Sequence, residues 1–288
     1  MLNFRFQNYI KEILYGNFEY RLENYKSTNI HSKKFDKHFK KCQKFYEKKS
    51  ISNDFQKNIQ EFKSKGFTSF NSKISNTLIN NVDKYIKSKN FDENINLINE
   101  FPILKQIFNH EIEPIIEGIY DSYFYIFYGI ISKKIGDADM PKGSQLWHTD
   151  GGPGTCINLM IVTSELKKEN GALELLAFNE SKEILIKMNR ELNSKHFYNL
   201  NREKRRELKA IWIQNEINNL DISKIHQPTG KPGKVIIFRN NLIHKGGFCQ
   251  KGKYRNAFIF HLYPANKKLD WDKLKKIGIQ KKNPIPIL

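Results

Sequence analysis

Three side chains of this sequence could share one metal ion. Trp147-His148-Thr149-Asp150-Gly151-Gly152 sets an imidazole and a carboxylate two residues apart. Alternate side chains of a strand share a face, so His148 and Asp150 can converge on one point. The glycines at 151 and 152 let the chain turn just beyond them. A second imidazole, His244, stands in Asn240-Asn241-Leu242-Ile243-His244-Lys245-Gly246-Gly247, again beside glycines. Two histidines and one carboxylate on one side of a metal leave the other side open. That arrangement suits non-haem Fe(II), which needs free positions for O₂ and a cosubstrate.

Arg255 follows His244 by eleven residues. A turn of that length can return the next strand antiparallel beside the first. On the strand expected at Tyr254–Tyr263, Arg255, Ala257, Ile259 and His261 share one face, and Asn256, Phe258 and Phe260 the other. An inward guanidinium can grip a carboxylate in a bidentate pair, which the far carboxylate of 2-oxoglutarate requires. Each piece alone is a weak signal. An HxD triplet is common, a histidine beside glycine is usually a loop residue, and a strand arginine usually pairs with a local acid. Their order and spacing together make the signal specific.

The elements that must position these groups can be read from periodicity. Residues 1–60 are basic and dotted with aromatics, and Phe35, Phe39, Cys42 and Tyr46 recur at helical spacing. They predict a helical extension with a packing face. Gly66 opens a turn into a short strand, and Ile74, Leu78, Ile79, Val82 and Ile86 predict a helix over 72–90. Asp121 to Ile131 reads as a buried strand. From Gln145 the pattern turns β-rich, with strands expected at Thr155–Val162 and Ala172–Phe178. Asn170-Gly171 between them favours a tight hairpin. Residues 179–220 are helical and charged, an insertion between strands. Pro232-Gly233 opens a strand at Lys234–Arg239, and a glycine-rich turn leads to Tyr254–Tyr263. The domain reading is an extension over 1–60 and a catalytic domain over 61–288.

Composition narrows the setting. A hydrophobic fraction of 39% with 21 Phe and 13 Tyr in 288 residues can build a core. The net charge is +19, with 49 Lys+Arg against 30 Asp+Glu. It is spread along the chain and carried mostly by lysine, which reads as a bias toward Lys, Asn and Ile rather than a nucleic-acid face. Three cysteines, Cys42, Cys156 and Cys249, make no disulfide framework, and a reducing cytoplasm fits them. No signal peptide and no run of about 18 apolar residues is present, so no membrane span is expected.

These motifs resemble the phytanoyl-CoA dioxygenase-like family of Fe(II)/2-oxoglutarate oxygenases. The resemblance runs from about Gly66 to Pro264. It rests on residues 147–152, on Glu169-Asn170-Gly171-Ala172-Leu173-Glu174-Leu175-Leu176, on Pro232 to Phe238, on Ile243 to Gly247 and on Tyr254 to Pro264. It implies an α+β, mainly β fold, a double-stranded β-helix with flanking helices. It implies His148, Asp150 and His244 as iron ligands and Arg255 as the clamp for 2-oxoglutarate. It further implies oxidation of a small-molecule substrate by O₂, with release of succinate and CO₂. Asn158 and Met160, which share a face on the strand after HxD, are candidate cosubstrate contacts. The family's Pro-Gly-Ser-His stretch is replaced here by Ala177-Phe178-Asn179-Glu180-Ser181. With the 179–220 insertion, that departure leaves the substrate open. Arg190, Arg202 and Arg206 on the insertion could meet an anionic one.

Other readings are weaker. Related halogenases lack the metal carboxylate, whereas Asp150 is present. Nucleic-acid demethylases of the superfamily carry a second arginine six residues after the clamp, where this chain has His261. His261 reads as a barrel-lining residue. A basic binding protein on an oxygenase fold is the alternative outside enzymology. The intact His148, Asp150, His244 and Arg255 argue against it.

Overall fold

The computed structural model describes residues 13, 18–23, 32–73, 75–88, 95–136, 140–141, 143–150, 156–192, 197 and 199–279. Gly151 and Gly152, expected to turn the chain beyond Asp150, lie outside the described residues, as do Ile74 and the Phe35 side chain. The described helices of six residues or more are α1 (Phe18–Glu23), α2 (Ser32–Lys44), α3 (Asn53–Lys65), α4 (Ser75–Lys87), α5 (Glu113–Tyr120), α6 (Phe178–Leu192), α7 (Arg202–Asn218) and α8 (Trp271–Ile277). A single π-helical turn, Phe108–Ile112, leads into α5. The strands are β1 (Phe67–Asn71), β2 (Tyr123–Ile135), β3 (Ile157–Val162), β4 (Glu174–Leu176), β5 (Ile225–His226), β6 (Lys234–Arg239), β7 (His244–Lys245) and β8 (Tyr254–Ala265).

Two antiparallel sheets result, one of five strands in the order β1-β6-β3-β8-β2 and one of three in the order β5-β4-β7. Flanked by helices, they form the double-stranded β-helix. The large sheet is apolar on both faces because both are covered. Its outward residues, among them Ile157, Leu159, Ile161, Val235, Ile237, Phe258 and Phe260, pack under α3, α4, α5 and α8. Its inward residues Met160, Val162, Ile236, Phe238 and Ala257 meet Leu166, Leu173, Leu175 and Leu242 across the barrel. Beyond the small sheet, Leu176 and Ile243 pack with Trp147 against Leu22 of α1, Ile184 and Met188 of α6 and Ile213 and Ile217 of α7. The insertion is therefore a helix pair covering the small sheet.

Local signals set several boundaries. Gly66 ends α3 with φ +82, its N–H bonded to Phe62 O at 2.7 Å, and the chain enters β1 at the next residue. Only glycine takes that conformation without strain, and a Cβ there would lie 2.9 Å from Leu242 Cδ2. The N-terminal helices dock by specific bonds. His38 Nε2 lies 2.9 Å from Pro264 O, so the ring donates there, and Arg239 and Asn241 both donate to Leu22 O. No described helix is long and apolar enough to cross a membrane.

Three expectations change. The Lys168–Gly171 turn forms, with Gly171 at φ +79, but it joins no hairpin. β3 pairs with β6 and β8, while β4 pairs with β5 and β7. Met160 and Val162 on one side and Leu173 and Leu175 on the other fill the same core, so the strands must face each other rather than share a ladder. The strand expected at Ala172–Phe178 shrinks to Glu174–Leu176, and Phe178 begins α6. Finally, the Arg255 strand does not return beside His244. β7 joins β4, and β8 lies between β3 and β2, where Phe258, Phe260 and Leu262 reach the outer core.

Candidate metal and carboxylate site

The His148 segment is less regular than a strand. His148 and His244 form one isolated antiparallel bridge, each N–H donating to the other's carbonyl at 2.9 Å. Asp150 N–H donates to Asn240 O at 2.9 Å. Three main-chain bonds thus stitch residues 148–150 to residues 240–244, and directly opposed side chains of an antiparallel pair lie close. The two imidazole centroids are 4.4 Å apart. Trp147, pointing the other way, is buried in the helix-covered core with the Lys245 ammonium 4.8 Å from its ring centre.

Main-chain carbonyls fix the ring states. His148 Nδ1 lies 2.7 Å from Leu146 O, and His244 Nδ1 lies 2.9 Å from Leu242 O. A carbonyl only accepts, so each Nδ1 carries the proton and each Nε2 of a neutral ring presents a lone pair. Those Nε2 atoms stand 3.6 Å from Asp150 Oδ1 and Oδ2 respectively, beyond hydrogen-bond length. The ligand atoms of all three lie within 4.8 Å of one another. Three electron-pair donors face a common point with no proton placed between them. A divalent cation fits that donor set, and backbone-anchored imidazoles are the usual second layer of such sites.

The electrostatics agree. Burial opposes ionisation of Asp150, but the adjoining His148, His244 and His261 outweigh it and hold the carboxyl well below the ordinary range. Burial lowers the His244 pKa, and its histidine neighbours add to this against the pull of Asp150. Asn158 Nδ2 donates to Asp150 Oδ2 at 2.6 Å. Asn158, a candidate cosubstrate contact, thus also holds the carboxylate in place.

Arg255 lies at the start of β8, 5% exposed, and donates through Nη1 to Gly171 O. A Cβ on Gly171 would lie 2.7 Å from Gly247 O, so the turn that offers this carbonyl tolerates no side chain. Burial pulls the Arg255 pKa down to about 10. Among the described residues no carboxylate pairs with it, and a buried unpaired cation is costly unless an anion arrives. His148, Asp150, His244, Arg255, Asn158 and Met160 all line one cavity of about 220 Å³ between the two sheets. Ile259 and His261 line it too, which places the inward face of β8 as its spacing suggests. Lys134 and Ser144 also line it. Sequence reading missed both. Lys134 sits opposite Arg255 in the β2–β8 register, a signal that appears only once the strands are paired.

The chain matches no family model and no curated protein. Its fold is similar to solved structures. One is the non-heme alpha-ketoglutarate-dependent carbocyclase SnoK from nogalamycin biosynthesis, with TM-score 0.51 and 10% identity over 83% of this chain and 95% of that one. Another is EctD from S. alaskensis with 2-oxoglutarate and 5-hydroxyectoine, with TM-score 0.51 and 14% identity over 84% and 89%. A third is the non-heme alpha-ketoglutarate-dependent epimerase SnoN, with TM-score 0.50 and 10% identity over 74% and 83%. At such identities the likeness concerns the fold.

Proposed function

We propose that this chain is a non-haem Fe(II)/2-oxoglutarate-dependent oxygenase of the phytanoyl-CoA dioxygenase-like kind, acting on a small-molecule substrate. The observation that carries the reading is the shared cavity. One end has three lone-pair donors with no proton between them, and the same space holds a buried guanidinium that no carboxylate among the described residues pairs with.

In this reading His148, Asp150 and His244 hold Fe(II) and Arg255 takes the distal carboxylate of 2-oxoglutarate. Lys134, across the strand pair, adds a second positive charge. The bound metal and cosubstrate supply O₂ activation coupled to decarboxylation, releasing succinate and CO₂. The protein's own part is positional. Leu146 O and Leu242 O fix the imidazoles, Asn158 fixes the carboxylate, and Gly171 O aims the guanidinium. Met160, Phe238 and Ile259 give the cavity apolar walls that limit water. The functional unit is residues 61–288, with 1–60 as a helical extension. The helix pair at 179–220 backs the outer side of the small sheet, and an anionic substrate meeting its Arg190, Arg202 and Arg206 is part of the proposal.

Anaerobic addition of Fe(II) and 2-oxoglutarate should produce a visible charge-transfer absorption. Aerobic incubation should then yield succinate in an Fe(II)-dependent manner. Protein that takes up neither Fe(II) nor 2-oxoglutarate would sink the proposal.

A further inference from the structure

The inward face of β8 sets the long axis of the barrel cavity. His261 stands opposite Asn158 of β3, which bonds Asp150, and marks the metal end. Ile259 stands opposite Met160 of β3 and Ile130 of β2, and the three form an apolar belt. Arg255 stands opposite Lys134 of β2 and marks the far end. Six steps along β8, roughly 20 Å of strand, separate His261 from Arg255.

The far end carries more positive charge than one cosubstrate carboxylate can match. Directly opposed side chains of an antiparallel pair share a face with Cβ atoms about 5 Å apart, and like charges placed so repel. Lys134 is half-buried in the cavity wall and takes part in no hydrogen bond or ion pair among the described residues. Arg255 donates through Nη1 to Gly171 O. Its Nε and Nη2 have no partner among the described residues, yet neither is sealed from solvent. Nη2 lies 3.6 Å from where a Cβ on Gly246 would stand, so this side of the fork borders the cavity wall. Among the described lining residues the one carboxylate is Asp150. It belongs to the metal end, 3.6 Å from each imidazole Nε2.

We infer that Lys134 and Arg255 form a two-pronged site for a dianionic tetrahedral oxyanion, inorganic phosphate or sulfate, which competes with the far carboxylate of the cosubstrate. A guanidinium fork takes two oxygens of such an anion and an ammonium a third. Two negative charges match two cations, whereas a single carboxylate leaves one cation over. The competition rests on the oxygenase reading; the anion site does not. Inorganic phosphate would then set the apparent affinity for 2-oxoglutarate.

Sulfate, titrated calorimetrically into the metal-free full-length chain, tests the site without chelation, with chloride at matched ionic strength as the control. Sulfate should bind in the millimolar range or tighter, and chloride at least about tenfold more weakly. Lys134→Met should weaken sulfate about tenfold or more, and Lys134→Arg should keep it within about threefold. The loss of 2-oxoglutarate affinity in Lys134→Met should be only about threefold, because Arg255 still holds its one far carboxylate. On the Fe(II)-loaded chain without O₂, added sulfate should raise the apparent Kd of 2-oxoglutarate, and much less so in Lys134→Met. Absence of sulfate binding, chloride binding as tightly, or sulfate affinity indifferent to Lys134→Met would overturn the inference. If 2-oxoglutarate binds and sulfate does not, the anion site falls and the oxygenase reading stands. If sulfate binds through Lys134 and 2-oxoglutarate is not taken up, the oxygenase reading and the competition fall and the anion site stands.

Discussion

The two sheets divide the labour unequally. The five-stranded sheet has strands buried on both faces, with continuous registers such as Ile157–Val162 against Lys234–Arg239. The three-stranded sheet is made of strands of two or three residues, yet β7 carries His244 and, through one bridge, positions His148. Arg255, the proposed cosubstrate clamp, and Asn158, which bonds Asp150, sit on the regular sheet, and the imidazoles on the fragmentary one. Regular ladders fix a side chain through many neighbours at once. The fragmentary side relies on a few main-chain bonds and on the helix pair behind it.

That contrast can be broken experimentally, most severely on the small sheet. His244→Ala should abolish metal uptake and reduce Fe(II)-dependent succinate formation to background, while circular dichroism shows the fold retained. Metal analysis of the purified variant decides it, and full metal occupancy would refute the ligand role.

On the large sheet, Arg255→Met should weaken 2-oxoglutarate by about a hundredfold, as expected for loss of a buried charge pair, with metal uptake intact. Without cosubstrate the same variant should melt no lower than wild type, because it removes a buried cation that no carboxylate among the described residues pairs with. A fall in melting temperature would show that the guanidinium serves the fold instead.

Asn158→Ala tests the link between the sheets. It should lower Fe(II) affinity about 10- to 100-fold, the range for partners of metal ligands, and change 2-oxoglutarate affinity less. The reverse pattern would make the cosubstrate the main partner of Asn158.

The mildest effect is on pH. The folded pKa of His244 is depressed by burial, so the unfolded chain binds its proton first as pH falls. That contribution to stability is present above about 6.5, the unfolded value, and is lost as pH drops below it. Denaturant midpoints of metal-free protein between pH 5 and 8 should decline on the acid side, and His244→Ala should flatten the decline.

The same contrast governs what the sequence could reveal. Val235-Ile236-Ile237-Phe238 and the alternation through Arg255, Ala257, Ile259 and His261 read correctly because one side chain after another reports the same environment. Asn170-Gly171 misled because turn chemistry is local, whereas which sheet the next strand joins depends on distant packing. Asn158 was legible as a barrel-facing residue but not as the partner of Asp150, since that contact arises from the 148–150 segment folding over β3. Lys134 carries no motif, and it needs a strand register before it has a context.

The reciprocal bridge between His148 and His244 has a consequence for chain mechanics. Everything between those residues, including both insertion helices, is one large loop whose ends meet at that bridge. An ion shared by His148, Asp150 and His244 would act as a clasp on the loop, reducing the entropy gained when it opens. Loading the metal should therefore protect the α6–α7 region from proteolysis, even though neither helix supplies a ligand.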